Sequence, residues 1–149
     1  MGFTFSSRTP ARSEILRKYL KMAGLFQNIG IALLAAAILM HLVSQGKWFS
    51  ASMVLALPGA LSLVFGGSSL QPHNLAKSFA QQCAQMPTHE MAEAFLEVLD
   101  REKRLSLTKS SIRIIQNGIE TYAGQPDADP ELVQALRASA ETRINVKLF

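Results

Sequence analysis

The fold is decided by residues 22–46, MAGLFQNIGIALLAAAILMHLVSQG, and by residues 48–76, WFSASMVLALPGALSLVFGGSSLQPHNLA. Neither stretch contains an Asp, Glu, Lys or Arg, and only Lys47 separates them. Their apolar cores, residues 25–43 and 49–70, each have about the 17–25 residues that an α-helix needs to cross a bilayer. The sequence therefore predicts two transmembrane helices.

The segment between these helices, residues 44–47, is long enough only for a tight turn, which predicts an antiparallel hairpin. The arm of residues 1–21 contains five basic residues and one acidic residue, so its charge is +4. Because basic flanks stay on the cytoplasmic side, we expect both termini in the cytoplasm and the hairpin in the inner membrane. The residues expected to contact the membrane surface are basic residues of an amphipathic turn in the arm and a Trp at the outer interface, namely Arg12, Arg17, Lys18, Lys21 and Trp48.

Small residues recur every four positions along both predicted spans. Such spacing lets helices approach closely in a membrane, where no hydrophobic effect drives them together. The residues expected to pack one helix on another are Ala32, Ala36, Ser52, Ala56, Ala60 and Gly66. The alternative is that alanine is simply common in such helices. Pro58-Gly59, in the middle of the second span, predicts a kink or a packing notch.

The C-terminal part of the chain, residues 72–149, contains four helical patterns. Each pattern places its apolar residues on one face, as Leu75 and Phe79 do in the first. Thr88 is the expected N-cap of the second helix, and Asp129-Pro130 is the expected start of the fourth. These patterns predict a small helical bundle.

The predicted fold is therefore all-α, with three parts along the chain. Residues 1–21 form a basic amphipathic arm, residues 22–71 form the transmembrane helical hairpin, and residues 72–149 form a cytoplasmic domain of about four helices. A bundle of this size is marginally stable on its own. We expect it to be supported by the membrane surface, by another subunit or by self-association.

Residues that carry catalytic chemistry are sparse. The chain has no phosphate-binding loop, no dinucleotide fingerprint and no G-x-S-x-G nucleophile motif. His73, Cys83 and His89 could be brought together as a zinc site, but Cys83 continues an apolar helix face, which favours a core position. We expect no enzymatic activity, no catalytic residue, no cofactor, no metal site and no small-molecule substrate.

Residues 101–118 loosely resemble a helix-turn-helix, whose second helix would begin with the polar residues near Lys109 and Arg113. The turn lacks the usual glycine, and residues 71–149 are nearly neutral, with nine basic and ten acidic residues. An ordinary pair of antiparallel helices is the favoured interpretation, and nucleic acid is disfavoured as a partner.

Composition limits the functional classes further. Charged residues make up 17% of the chain, the mean hydropathy is +0.16 and there is one cysteine, which excludes a disordered chain and a disulfide scaffold. The sequence predicts a structural or assembly subunit of a larger inner-membrane complex, such as a secretion, conjugation or transport machine. Its expected partners are the lipid bilayer, other membrane-protein subunits and, as one option, further copies of itself. Two alternatives stay open: a self-assembling pore or membrane-perturbing protein, and a membrane-tethered nucleic-acid-binding or regulatory module.

Overall fold

A computed structural model describes residues 11–45, 47–101, 104–105 and 107–144, and these residues form six α-helices and no strands. The predicted all-helical class is thus confirmed for this part of the chain. The first ten residues of the predicted arm lie outside it. The helices are α1 (Glu14–Val43), α2 (Phe49–Ser69), α3 (Pro72–Gln85), α4 (His89–Asp100), α5 (Lys109–Ala123) and α6 (Pro130–Ile144).

The chain divides into two compact units. The hairpin unit, Tyr19–Gln71, contains most of α1 and all of α2. The helical unit contains the described residues up to Lys18 together with those from Pro72 onward. The first residues of α1 therefore group with α3–α6, whereas the sequence pattern placed them in an arm of their own.

The four helices α3–α6 form a ring in which each helix packs against two others. α3 packs against α4 and α5, and α6 packs against the same two helices from the other side. The centre of the ring is filled by side chains that are almost wholly buried: Phe79, Phe95, Leu99, Ile115, Ile119, Tyr122 and Leu136. This arrangement explains the one-sided apolar patterns, because each helix turns its apolar face to the common centre. The predicted helical bundle is confirmed as a fold.

Consecutive helices α4 and α5 lie across the ring from each other, not side by side. Between them in the chain, Leu105 lies at the end of α6: its N–H donates to the carbonyl oxygen of Arg143 at 2.9 Å and its side chain is buried. The prediction that α4 and α5 pack as an ordinary antiparallel pair is therefore wrong. The physical reason is the buried Leu105, which draws the connection across the bundle.

Local capping accounts for where the helices of the helical unit begin. The hydroxyl oxygen of Thr88 accepts the N–H of Met91 at 3.3 Å, as the sequence predicts, and Thr108 caps α5 in the same way. The carboxylate of Asp129 accepts the N–H of Glu131 at 2.9 Å in front of Pro130. Each cap satisfies a backbone donor that has no partner within its helix.

The turn of the hairpin unit closes through Ser44. Its hydroxyl donates to the carbonyl oxygen of His41 at 3.3 Å and accepts the N–H of Trp48 at 3.4 Å. Gln45 adopts a φ of 49°, in the left-handed region that a tight reversal requires. Beyond the turn, α2 stays a continuous helix through Pro58.

Candidate functional site

Large apolar side chains are exposed along both helices of the hairpin unit. Both helices are long and apolar enough to cross a membrane. In each of them only 17% of an apolar stretch of 18 residues is buried. Water-soluble monomers seldom expose apolar patches larger than a few hundred Å². The exposed apolar belt consists mainly of Leu25, Ile31, Ile38, Leu42, Val54, Leu57, Leu61, Val64 and Phe65.

The charged residues of the hairpin unit lie only at the ends of this belt. Lys21 precedes the apolar part of α1, and Lys47 lies in the turn. Residues 22–43 span about 33 Å as a helix and the 21 residues of α2 span about 32 Å, close to the roughly 30 Å of a hydrocarbon layer. The belt therefore has the length and the charge pattern of a membrane-crossing element.

The two helices of the hairpin meet along a seam of six small residues. Three lie on each helix, and those three are seven positions apart. Ala23, Gly30 and Ala37 form the α1 side, and all three are buried. The α2 side is formed by the equally buried Ser52, Gly59 and Gly66. In antiparallel order Ala23 is opposite Gly66, Gly30 is opposite Gly59 and Ala37 is opposite Ser52. A seven-residue repeat keeps one narrow face of each helix turned to the other.

The backbones approach closely at the glycines of the seam. A Cβ atom on Gly30 would lie 2.6 Å from the backbone nitrogen of Leu63, and one on Gly66 would lie 2.8 Å from that of Gln27. A Cβ on Gly59 would lie 3.0 Å from the Leu33 Cβ and 3.1 Å from the Leu34 nitrogen. Pro58-Gly59 thus supplies a packing notch at Gly59. Glycine is required because backbone atoms cannot rotate aside to admit a side chain.

Replacing Gly59 by Leu should force the two hairpin helices apart, whereas Ala60→Leu should not. Gly59 lies in the seam, while its neighbour Ala60 is exposed. Both changes raise hydrophobicity, so membrane insertion should persist in both. Cysteines introduced at Ala37 and Ser52, which lie opposite each other in the seam, should cross-link efficiently in the parent chain and with Ala60→Leu, but at least about five-fold less with Gly59→Leu. Equal cross-linking in the two variants would contradict the seam.

The six small residues that the four-residue spacing predicts as helix-packing residues occupy different positions in the structure. Ser52 and Gly66 lie in the seam, and Ala56 is half-buried. Ala32, Ala36 and Ala60 are exposed on the outside of the hairpin. Their role in packing against another helix stays a prediction. The seam residues Ala23, Gly30, Ala37 and Gly59 were missed, although the seven-residue repeat was visible in the sequence.

The residues expected at the membrane surface are all exposed. Lys18 pairs with Glu14 across one helical turn at 2.9 Å, and Trp48 is 60% exposed beside the hairpin turn. Arg12, Arg17 and Lys21 also have exposed side chains. Contact of these residues with lipid stays a prediction.

A half-buried acidic residue, Glu97, holds the beginning of α1 against α4. Its two carboxylate oxygens each accept one backbone N–H at 2.8 Å, from Arg12 and from Ser13. The Arg101 guanidinium donates to the same carboxylate at 3.0 Å. Leu16, one turn further along α1, is fully buried. The start of α1 is therefore a packed part of the helical unit.

The protonation equilibrium of Glu97 reflects these bonds. Burial raises the pKa of this carboxyl, but the backbone N–H groups of Ser13 and Arg12 and the charge of Arg101 lower it more. The net pKa of Glu97 lies below its ordinary value of 4.5. The carboxylate is thus ionised at neutral pH, and no sequence signal could have revealed its hold on α1 because Arg12 and Ser13 lie more than eighty residues away.

The three residues considered for a zinc site have other positions. Cys83 is fully buried in the ring of helices, and burial raises the pKa of its thiol to about 11. His89 shares a hydrogen bond of 3.2 Å with the Tyr122 hydroxyl, which also accepts the N–H of Asp129. His73 is exposed at the start of α3. Among the described residues, no group of three or more His, Cys, Asp or Glu could hold a metal ion.

The surface of the helical unit carries a shallow groove of about 470 Å³ between α3 and α5. Its walls are rich in amide side chains, with one guanidinium. The lining residues are Gln81, Ala84, Gln85, Arg113, Ile114 and Asn117. This set contains no carboxylate, histidine, thiol or hydroxyl that could serve as a general base or nucleophile.

No protein-family model matches the chain, and neither the curated proteins nor the solved structures give a significant match. The function must therefore be inferred from the chain's own residues and their geometry.

Proposed function

We propose that this chain is a structural or assembly subunit of a larger inner-membrane complex, without catalytic activity of its own. The hairpin unit is embedded in the bilayer, and both termini face the cytoplasm. The helical unit is the part that meets soluble or membrane-bound partners. A secretion, conjugation or transport machine is the kind of assembly that uses such a subunit.

The exposed apolar belt of the hairpin is the observation that carries this proposal. Its side chains are about half to two-thirds exposed, for example Leu25 at 58% and Val54 at 69%. Removing a fully exposed side chain of this size from water contributes about 1.5–3 kcal/mol, and each belt residue gains the share that its exposed fraction represents. A bilayer removes the whole belt from water at once, and it needs no further protein to do so.

The orientation rests on the distribution of basic residues. Arg12, Arg17, Lys18 and Lys21 precede α1 or lie in its first turns, whereas Lys47 is alone in the hairpin turn. The cytoplasmic leaflet is anionic and attracts such residues. Both ends of the hairpin are therefore assigned to the cytoplasm.

Reporter fusions test this orientation. A reporter after Phe149 and one at the N-terminus should both report the cytoplasm, and one inserted at Gln45 should report the opposite side. As a control, replacing Arg17, Lys18 and Lys21 together by Gln should reduce the proportion of correctly oriented chains. An extracytoplasmic C-terminus would overturn the hairpin topology and the proposal with it.

Assembly into a complex is tested with the full-length chain in a mild detergent. Affinity purification followed by mass spectrometry should recover a fixed set of membrane-protein partners. A chain that permeabilises dye-filled vesicles on its own would favour the pore alternative instead. Salt-sensitive nucleic-acid binding that is lost on charge reversal at Lys109 and Arg113 would favour the regulatory alternative.

A further inference from the structure

One polar side chain on α1, Asn28, lies in the apolar part of the hairpin. It is six residues past Met22, about 9 Å along the helix axis, and its side chain is exposed. Its carboxamide forms no hydrogen bond within the described residues. If the hairpin is embedded as proposed above, lipid replaces water around this amide, and two donors and an acceptor lose their partners.

The second helix of the hairpin cannot satisfy Asn28. At about 100° per residue, Asn28 is about 140° from Ala23 and about 200° from Gly30 around α1. Both of those residues lie in the buried seam with α2. Asn28 therefore points away from α2, which supplies no partner for its amide.

The surroundings of Asn28 allow another helix to come close. One turn before it is Gly24, where an added Cβ would meet nothing within 4 Å. After it come Ala32, Ala35 and Ala36, which are all exposed. By helical geometry these four residues lie within about 80° of Asn28 around α1. The Asn28 face, defined as Gly24, Asn28, Ala32, Ala35 and Ala36, is thus a line of small residues around one polar group, flanked by the exposed side chains of Leu25 and Ile31.

We propose that the Asn28 face binds the same face of a second copy of this chain, and that the two Asn28 amides hydrogen-bond to each other in the bilayer. Copies inserted in the same orientation can be related by a two-fold axis along the membrane normal, which brings each residue to the depth of its own equivalent. A carboxamide is both donor and acceptor, so one such pair satisfies both copies reciprocally. The small neighbours let the backbones approach closely enough for these bonds.

The second copy is favoured over an unlike subunit because of this self-complementarity. A carboxylate or an ammonium group on a partner would satisfy only one half of the amide. The two-fold arrangement also places Ala32 against Ala32, so small residues lie at the centre of the contact and Leu25 and Ile31 lie at its edges. The proposed dimer requires the hairpin to be inserted in a membrane, and in this respect it rests on the proposed function.

Cross-linking in native membranes tests the dimer with the full-length chain. With Ala32→Cys as the reporter, oxidation should yield a disulfide-linked dimer, and Leu57→Cys, on the exposed face of α2, should yield none. The parent chain, whose own Cys83 is buried, sets the background. Adding Asn28→Leu should strongly reduce the Ala32→Cys dimer, and adding Asn28→Gln should retain it because the amide is kept.

Single-molecule photobleaching in phosphatidylcholine–phosphatidylglycerol vesicles measures how strongly the chain dimerises. Asn28→Leu should weaken dimerisation about 5- to 30-fold. Ser50→Leu is the matched control, since it adds the same hydrophobic group at an exposed position of α2 and should leave dimerisation unchanged.

Alkaline extraction of the membranes separates the two proposals. A chain that is washed out would overturn membrane insertion and the proposed function. A chain that stays inserted but remains monomeric, or that dimerises equally with Asn28→Leu, would overturn only the dimer. An adduct to an unlike protein that is lost with Asn28→Leu, from a chain that is monomeric when purified, would also overturn it.

Discussion

Replacing Gly118 by Val is expected to destabilise the helical unit by about 2–3 kcal/mol. A Cβ atom at this position would lie 2.5 Å from the Ala80 carbonyl oxygen and 3.1 Å from its carbonyl carbon and Cα. These are backbone atoms, so α3 and α5 would have to separate along their contact. Even Gly118→Ala should destabilise the unit, although alanine favours a helix over glycine by about 1 kcal/mol.

Cys83 provides a native probe for this measurement in the intact protein. It is fully buried in α3, one turn from Ala80, and burial raises the pKa of its thiol to about 11. Its reaction with a maleimide therefore requires the ring of helices to open. A loss of 2–3 kcal/mol corresponds to labelling that is about 30- to 150-fold faster under native conditions.

Asn117→Val is the matched control for Gly118→Val. Asn117 is the preceding residue of α5 and its side chain is exposed. The same β-branched group there should change the free energy of unfolding by no more than about 0.5 kcal/mol. If Cys83 were labelled equally fast in both variants, the close crossing of α3 and α5 at Gly118 would be refuted.

Glu97→Ala is expected to free the start of α1 from α4 and to cost about 1–3 kcal/mol. The change leaves the N–H groups of Arg12 and Ser13 and the guanidinium of Arg101 without the carboxylate that now binds all three. Hydrogen exchange of the full-length protein should show faster exchange at residues 12–18. The amides in the middle of α2 should keep their protection, because they belong to the other unit.

The same interaction predicts a dependence on pH. The pKa of Glu97 in the folded chain lies below 4.5, so its contribution to stability is complete above that value and is lost as the pH falls through the lowered pKa. Protection of residues 12–18 should therefore decrease in acid in the parent chain. In Glu97→Gln, which cannot ionise, this part of the acid dependence should be absent.

Glu93→Ala is the control for Glu97→Ala. Glu93 lies one turn earlier in α4, but its side chain is 58% exposed and its carboxylate lies 3.5 Å from the His89 imidazole. An exposed pair of this kind contributes about 0–1 kcal/mol. Exchange at residues 12–18 that is equally fast in both variants would mean that Glu97 does not hold this segment.

Much of the secondary structure was predictable because its causes are local. The charge-free stretches predicted α2 and the end of α1, although α1 begins at Glu14, before its stretch, and Thr88 and Asp129 mark where α4 and α6 begin. Each of these signals acts within a few residues of the element that it defines. The apolar faces of α3–α6 followed for the same reason, since helical spacing alone decides which residues share a side.

The order of the helices around the ring was not predictable in this way. The sequence favoured α4 beside α5, because consecutive helices usually pack together. The outcome depends on Leu105, which is buried and bonded to the carbonyl of Arg143 at the end of α6. Neither the burial of Leu105 nor the position of Arg143 has a local signature. The hold of Glu97 on Arg12 and Ser13 is likewise a contact between distant residues.

The sequence by itself determined that this protein has two long apolar helices with basic residues at their ends, followed by four one-sided helices. Only the tertiary structure decided which small residues form the contact between the two helices of the hairpin. Ala32 and Ala36 are spaced four apart on α1 but face outward, whereas Ala23, Gly30 and Ala37 meet α2. The reason is that contact requires matching positions on both helices at once. Only the seven-residue spacing places small residues opposite Ser52, Gly59 and Gly66 along the full length of the hairpin.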